Sequence, residues 1–248
     1  MTSKVTIIIP CYNAAMWVEK SILSALNQKY KNLEVIFVDN ESIDGSLAIA
    51  KRIQKMYPQL IISTAPNLYR YSWEEPVTEG LRLSTGDYIT ILGADDFLSD
   101  TYISNCMQYI DMPEAKVLVF QSPIRGIRGK DEIPIGEIGH FYTSLTQFKE
   151  LLFRTCPVTT PTVVYSRELY DRGLLKWDSQ YLGAADYDLY FRLVDSGVFI
   201  FPSKQWLGYH YRWHEDQATW GMHREETSYD ELIRKKWYGQ WNPQRDED

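Results

Sequence analysis

The stretch VTIIIPCYN, Val5 to Asn13, decides how this chain is read. Its first five residues are all β-branched, with no polar alternation, the pattern of a strand buried on both faces. Pro10 closes the run and a short polar segment follows. Working outward, Val35 to Val38 is a second strand of the same kind, ending at Asp39. Leu60 to Ser63 and Tyr88 to Leu92 repeat the signal. Helical patterns lie between them. Asn13 is read as the cap of a helix with Val18, Ile22, Ala25 and Leu26 at helical spacing. Asp44 caps a second helix with a stripe of Ile49, Ile53 and Met56, stopped by Pro58. A third covers 76–85. Strands of this kind alternating with helices predict a doubly wound, mainly parallel α/β sheet with helices on both faces, in a single domain.

In such sheets ligands bind beyond the carboxyl ends of the strands. Pro10, Cys11, Tyr12 and Asn13, then Asp39 and Asn40, then Gly93 to Asp96 all lie at those ends. Right-handed crossovers bring them to one edge although they are far apart in sequence. Asp95 and Asp96 are adjacent, and like charges that close repel unless a positive group joins them. Either both face water in a turn or the pair awaits a cation.

Past Phe120 the alternation weakens. Residues 122–140 hold four glycines and two prolines at irregular intervals and read as a loop or irregular hairpin. Thr143 to Arg154 reads as a helix and Thr162 to Tyr165 as a strand. Asp186 opens a helix with Leu189, Leu193 and Val194 on one face, while Asp188 is read as exposed. Val198 to Phe201 and Trp206 to Tyr211 read as closing strands. No linker interrupts the chain. It divides into a nucleotide-binding half, 1–121, an acceptor-binding half, 122–225, and a C-terminal helix or polar tail, 226–248.

The 26 basic and 33 acidic residues give a net charge of −7, against a nucleic-acid partner, which calls for a basic surface. No apolar run reaches the length of about 20 residues that spans a membrane. The N-terminus reads as a strand and not a signal peptide. Cys11, Cys106 and Cys156 have neither disulfide nor zinc spacing and read as reduced, buried thiols. Together these predict a cytoplasmic protein whose membrane contact, if any, is peripheral. The aromatic cluster Trp206, Tyr209, Tyr211, Trp213 and Trp220 reads first as packing, with sugar stacking as its alternative.

GxxxxGK[ST] and GxGxxG are both missing, so phosphate handling needs another device. A divalent cation is the usual one, and five segments stand in order: TIIIPCYNA (6–14), SALNQKY (24–30), EVIFVDNESIDGS (34–46), GDYITILGADD (86–96) and GAADYDLYFRL (183–193). Together they resemble the family 2 glycosyltransferases, across about residues 4 to 215. The resemblance implies a GT-A (Rossmann-like) fold, a nucleotide-sugar donor, Mn2+ or Mg2+, and inversion at the anomeric carbon.

It also implies roles. Asp95 aligns with the more directly metal-binding member of the family's Asp-x-Asp motif, whose first member is here Gly93. Asp96 then orients the site from behind, unless it caps a turn. Asp39 recognises the nucleobase, a uracil N–H being a suitable donor, with Pro10, Cys11, Tyr12 and Asn13 shaping the pocket. Asp186 is the catalytic base, although the family's preceding Glu is Ala185. His214 completes the metal shell or touches phosphate, against the alternative of a surface histidine among aromatics. Arg70 lies in a loop that departs from the family pattern, as does Thr78, and it either approaches the diphosphate or faces solvent. The expected activity is hexosyl or N-acetylhexosaminyl transfer, most simply from a UDP-sugar, to a hydroxyl of a glycan or sugar-lipid in polysaccharide biosynthesis. The alternative is a non-catalytic nucleotide- or sugar-binding protein on the same fold. A nucleotidyltransferase would want a Gly-rich basic loop where Pro10 to Asn13 stand.

Overall fold

The computed structural model describes residues 2–69, 73–112, 116–217 and 227–242. Its first strand, β1 (Val5–Cys11), is central in a seven-stranded sheet. Side chains of a strand alternate between faces, and here each face has its own core. Ile8 joins one, with Ile36, Val38, Ile89 and Ile91. Val5, Ile7 and Ile9 join the other, with Val35 and Phe37. Burial on both sides explains why the run carries no polar alternation.

β1 pairs in parallel with β2 (Leu33–Asp39) and β4 (Tyr88–Ile91), and β2 pairs with β3 (Leu60–Thr64). The connecting helices are α1 (Val18–Leu26), α2 (Ser46–Met56) and α3 (Glu74–Leu83). α1 buries Val18, Ser21, Ile22 and Ala25, an i, i+3, i+4, i+7 stripe. α3 sits close over β1, since a Cβ on Gly80 would fall 2.4 Å from Ile8 Cγ2. The α2 stripe is shifted by a few residues from the expected one: Ser46, Ala50 and Ile53 are buried and Met56 is exposed. Nor does Asn13 cap α1. Trp17 precedes that helix, while Asn13, at φ 50°, accepts from Ile43 N–H and ties the loop after β1 to the loop after β2. Asp44 does serve the start of α2, accepting from Ser46 N–H.

Beyond β5 (Phe97–Leu98) and α4 (Tyr102–Ile110), the chain returns to the sheet as β6 (Val119–Gln121). The seven strands are completed by β9 (Val164–Ser166), antiparallel between β4 and β6, and β10 (Ile200–Pro202), parallel to β6. The sheet is therefore mixed and mainly parallel. The stretch 122–140 forms a hairpin, β7 (Ile124–Arg128) and β8 (Ile133–Ile138), with a bulge at Gly126/Ile127. With β5 and β11 (Tyr209–Trp213) it makes a second sheet of four strands in the order β5-β11-β7-β8.

The helices of the later half are α5 (Leu145–Leu152), the short α6 (Arg167–Asp171), α7 (Ala185–Asp195) and α8 (Tyr229–Trp241). α7 is buried nearly all round, and Asp188, read as exposed, is among its buried residues at 2% exposure. The reason lies in α8. Asp188 Oδ1 accepts from Lys236 Nζ and Trp237 Nε1, both at 2.8 Å, and Arg192 approaches Oδ2 at 3.3 Å. Part of the polar tail is thus a helix that lays Ile233 and Trp237 into the core.

Candidate functional site

Parallel neighbours end at one edge, and there the loops stitch together. Ala14 N–H donates to Ser46 Oγ and Ala15 N–H to Asp44 Oδ2. β9 runs against β4, so the turn preceding it, Thr160–Thr162, arrives at the same edge as Gly93 to Asp96. These ends surround a cleft of about 1690 Å3.

At one end Pro10, Cys11, Tyr12, Asn13 and Asn40 line the wall. Tyr12 is exposed. The Cys11 thiol is pushed up to about 12 by burial and stays protonated. Asp39 lies between Cys11, its partner across the ladder, and Asn40. It is buried, its Oδ2 accepts from Ser42 N–H at 3.0 Å, and its Oδ1 has no partner. A buried carboxylate oxygen without a donor is costly, although Asp39 itself is not among the residues that line the cleft.

Next along the cleft are Asp95 and Asp96, which share a sequence motif but not a role. Asp96 is buried: Oδ2 accepts from the Tyr209 hydroxyl at 2.8 Å and Oδ1 from Arg212 N–H at 2.7 Å. Burial, then the neighbouring Asp95 charge, pushes its carboxyl well above the usual range. Asp96 therefore acts as a clamp on β11. Two residues past that strand's hold, His214 Nε2 lies 3.0 Å from Asp95 Oδ2. The clamp is reinforced by Arg212, buried over the Trp17 ring, whose Nε donates to the Asp95 carbonyl and whose head pairs with Glu132. The sequence reading took Tyr209 only as part of a packing cluster and did not single out Arg212. Alternation along YHYRW places Tyr209 and Tyr211 on one face, but no local signal says that Arg212 turns inward.

Asp95 and His214 fit a divalent ion. In this structure the two atoms are hydrogen-bonded to each other at 3.0 Å, and a cation would be held by both side chains. Carboxylate and imidazole suit Mn2+. No group of three or more potential protein ligands occurs among the described residues. Such an ion would complete its shell with phosphate oxygens and water, as Mg2+ commonly does.

Farther on, Asp186 stands in the first turn of α7 and lines the cleft. Oδ2 accepts from the Thr160 hydroxyl at 2.6 Å and Oδ1 from Tyr187 N–H at 2.7 Å. Burial raises its pKa to about 6, with Asp230 of α8 adding to the rise and the two hydrogen bonds opposing it. Thr160 and Asp230 were also missed, since the TTPT segment and the acidic start of α8 look like ordinary caps.

Arg70 and Trp220 lie outside the described residues, and Thr78 is exposed on α3. Of the aromatic cluster, Tyr209 is packed and buried while Tyr211 lines the cleft. The described lining includes six aspartates, Asp44, Asp95, Asp96, Asp186, Asp216 and Asp230. That acidity disfavours a bare phosphate and favours one carrying a cation.

A sequence profile described as Glycosyl transferase family 2 matches residues 6–177, the larger part of the chain. An uncharacterized glycosyltransferase of Haemophilus influenzae is 32% identical over 106 residues, which are 43% of this chain and 42% of that one. This chain thus spans less than half of that relative. The Escherichia coli UDP-Glc:alpha-D-GlcNAc-diphosphoundecaprenol beta-1,3-glucosyltransferase WfaP is 26% identical over 195 residues, 78% of this chain and 71% of that one. Among solved structures, S. aureus TarS in complex with UDP-GlcNAc superposes with a TM-score of 0.70 at 16% identity, over 96% of this chain and 72% of that one. A mannosyltransferase from Pyrobaculum calidifontis, in complex with GDP-Man and Mn2+, gives 0.64 at 18% identity, over 96% and 70%. These structural likenesses speak for the fold, an α/β architecture of GT-A type.

Proposed function

The chain belongs to glycosyl transferase family 2, and on that footing we propose that it transfers a hexosyl or N-acetylhexosaminyl group, with inversion, from a UDP-sugar to a hydroxyl of a glycan or lipid-linked sugar. The observation that carries this reading is one cleft holding both the Asp95–His214 pair and a carboxylate poised near neutrality, Asp186. Asp39 offers its free oxygen to the base N–H, beside Tyr12 and the backbone of Pro10 to Asn13. A bound divalent cation would offset charge developing on the departing diphosphate. Asp186 accepts the proton of the acceptor hydroxyl as its oxygen attacks the anomeric carbon, on the face opposite the bond to the diphosphate. A base with a pKa near 6 is ionised at neutral pH and still basic enough to draw the proton. UDP as the nucleotide is supported by the names of WfaP and of the TarS complex, and a lipid-linked acceptor by the name of WfaP.

A second reading, a binding protein without catalysis, takes its support from Gly93 and Ala185, where the family resemblance leads one to expect carboxylates. The test is thermal unfolding with UDP, GDP and other nucleoside diphosphates, with and without Mn2+, joined to release of UDP from UDP-sugars. Expected is a stabilisation by UDP that needs Mn2+, lost in Asp95→Asn and kept in Asp186→Asn, with turnover lost in both. Binding without turnover of any UDP-sugar favours the second reading. No shift with any nucleotide at millimolar concentration overturns both.

A further inference from the structure

Asp186 does not stand alone. Thr160 Oγ1, which donates to its Oδ2, in turn accepts from the Tyr190 hydroxyl at 3.1 Å. The Tyr190 oxygen lies 3.3 Å from that of Tyr165. Tyr190 sits one helical turn below Asp186 on α7, Tyr165 is on β9, and Thr160 opens the turn leading into that strand. Both tyrosines are buried.

The directions of these bonds follow from chemistry. An ionised carboxylate only accepts, so the Thr160 proton must point at Asp186. The lone pairs of Thr160 then face the Tyr190 proton, and the Tyr190 oxygen is left to accept from Tyr165. Three hydroxyls in series, each polarising the next, converge on one carboxylate oxygen. Resting on the reading of Asp186 as the base, we propose that Thr160, backed by Tyr190 and Tyr165, is a positioning residue that fixes the Asp186 carboxylate and holds it ionised.

The chain acts against the other groups around this carboxylate. Asp230 on α8 is a like charge that favours protonation. Cys156, in the segment after α5, is held neutral by burial and by Asp186 itself. Tyr187, Tyr190 and Tyr165 have their hydroxyls pushed up by burial and stay protonated. Burial and Asp230 thus drive Asp186 toward its neutral form, while Thr160 and Tyr187 N–H hold it charged. Tyr187 N–H is backbone and cannot be removed by a side-chain change. Thr160 is the adjustable part.

The experiment is a titration of the Asp186 side-chain carboxyl by 13C NMR, its signal assigned by its loss in Asp186→Asn, which needs no substrate. The wild-type midpoint is expected near 6. Thr160→Val should raise it by roughly one pH unit, the effect of losing one hydrogen bond to the charged form. Thr160→Ser should restore it. Tyr190→Phe, which keeps the packing, should raise it by less, and Asp230→Asn should lower it. In the kcat/KM profile for UDP release, the acid limb should move with these midpoints. A residue that merely supported the fold would depress the rate equally at every pH. Unchanged midpoints in Thr160→Val and Tyr190→Phe would overturn the proposal. Full turnover in Asp186→Asn would instead overturn Asp186 as the base and leave the titration result standing.

Discussion

Gly93 shows how one residue's identity follows from its neighbours. A Cβ there would lie 2.8 Å from Asp96 Oδ2 and 2.9 Å from Asp95 Oδ1. Asp96 cannot yield, being held by Tyr209 and Arg212. Gly93→Asp should therefore lower stability by roughly 2 kcal/mol or more, through strain and a third carboxylate in a crowded site, as read by urea unfolding, with no gain in Mn2+ affinity. Asp186 gives a prediction of opposite sign. Its folded pKa, about 6, exceeds the unfolded value of about 3.9. Its contribution to stability is fully present below about pH 4 and is lost as pH rises through 6. Asp186→Asn should then be more stable than wild type at pH 8, by on the order of 1–3 kcal/mol, and should lose that advantage toward pH 4. Urea unfolding at the two pH values checks it. At this scale the family resemblance singled out Asp39, Asp95, Asp186 and His214, and of these Asp95, Asp186 and His214 line one cleft. It did not single out Thr160, Tyr209 or Arg212, whose parts come from partners tens of residues or more away.

Among the elements, β11 and α8 connect the site to the rest of the protein. β11 is held by Asp96 and carries the chain on to His214, so Asp96→Ala should weaken Mn2+-dependent UDP binding as Asp95→Asn does. Its loss of stability should also exceed that of Asp95→Asn, because Arg212 N–H and the Tyr209 hydroxyl are left buried without an acceptor; calorimetry in both states separates the two effects. α8 is fastened to α7 through Asp188. Asp188→Ala strands the buried Trp237 Nε1 and should cost roughly 2–4 kcal/mol in urea unfolding. Sequence periodicity located most strands and helices, because a strand buried on both faces and an amphipathic helix each write a local pattern. The second sheet left weaker marks. Its strands are short, β8 is exposed along its whole length, and Gly126 and Gly136 interrupt any alternation. Asp188 was misjudged for a related reason: a helix covered on several sides reads as amphipathic until its cover is known.

For the whole molecule, ligand linkage offers the broadest test. A ligand at about 100 times its Kd stabilises by about 2.7 kcal/mol, or roughly 5–10 °C for a domain of this size. With UDP and Mn2+ together that rise is expected, and chelation by EDTA should remove most of it. The sequence by itself determined the alternating α/β order, the buried central strands, the edge at which the strand ends form a cleft and the acidic residues delivered there. These are consequences of local pattern plus the handedness and parallel pairing that any such chain obeys. Only the tertiary structure decided how the acidic residues divide their work. Adjacent Asp95 and Asp96 became a cleft carboxylate and a buried clamp because β11 hydrogen-bonds the side chain of Asp96 but only the backbone of Asp95. Asp186 acquired a pKa near 6 because α8 and the turn before β9 closed around it. Burial and hydrogen bonding set those properties, and both depend on residues that meet only in the folded chain.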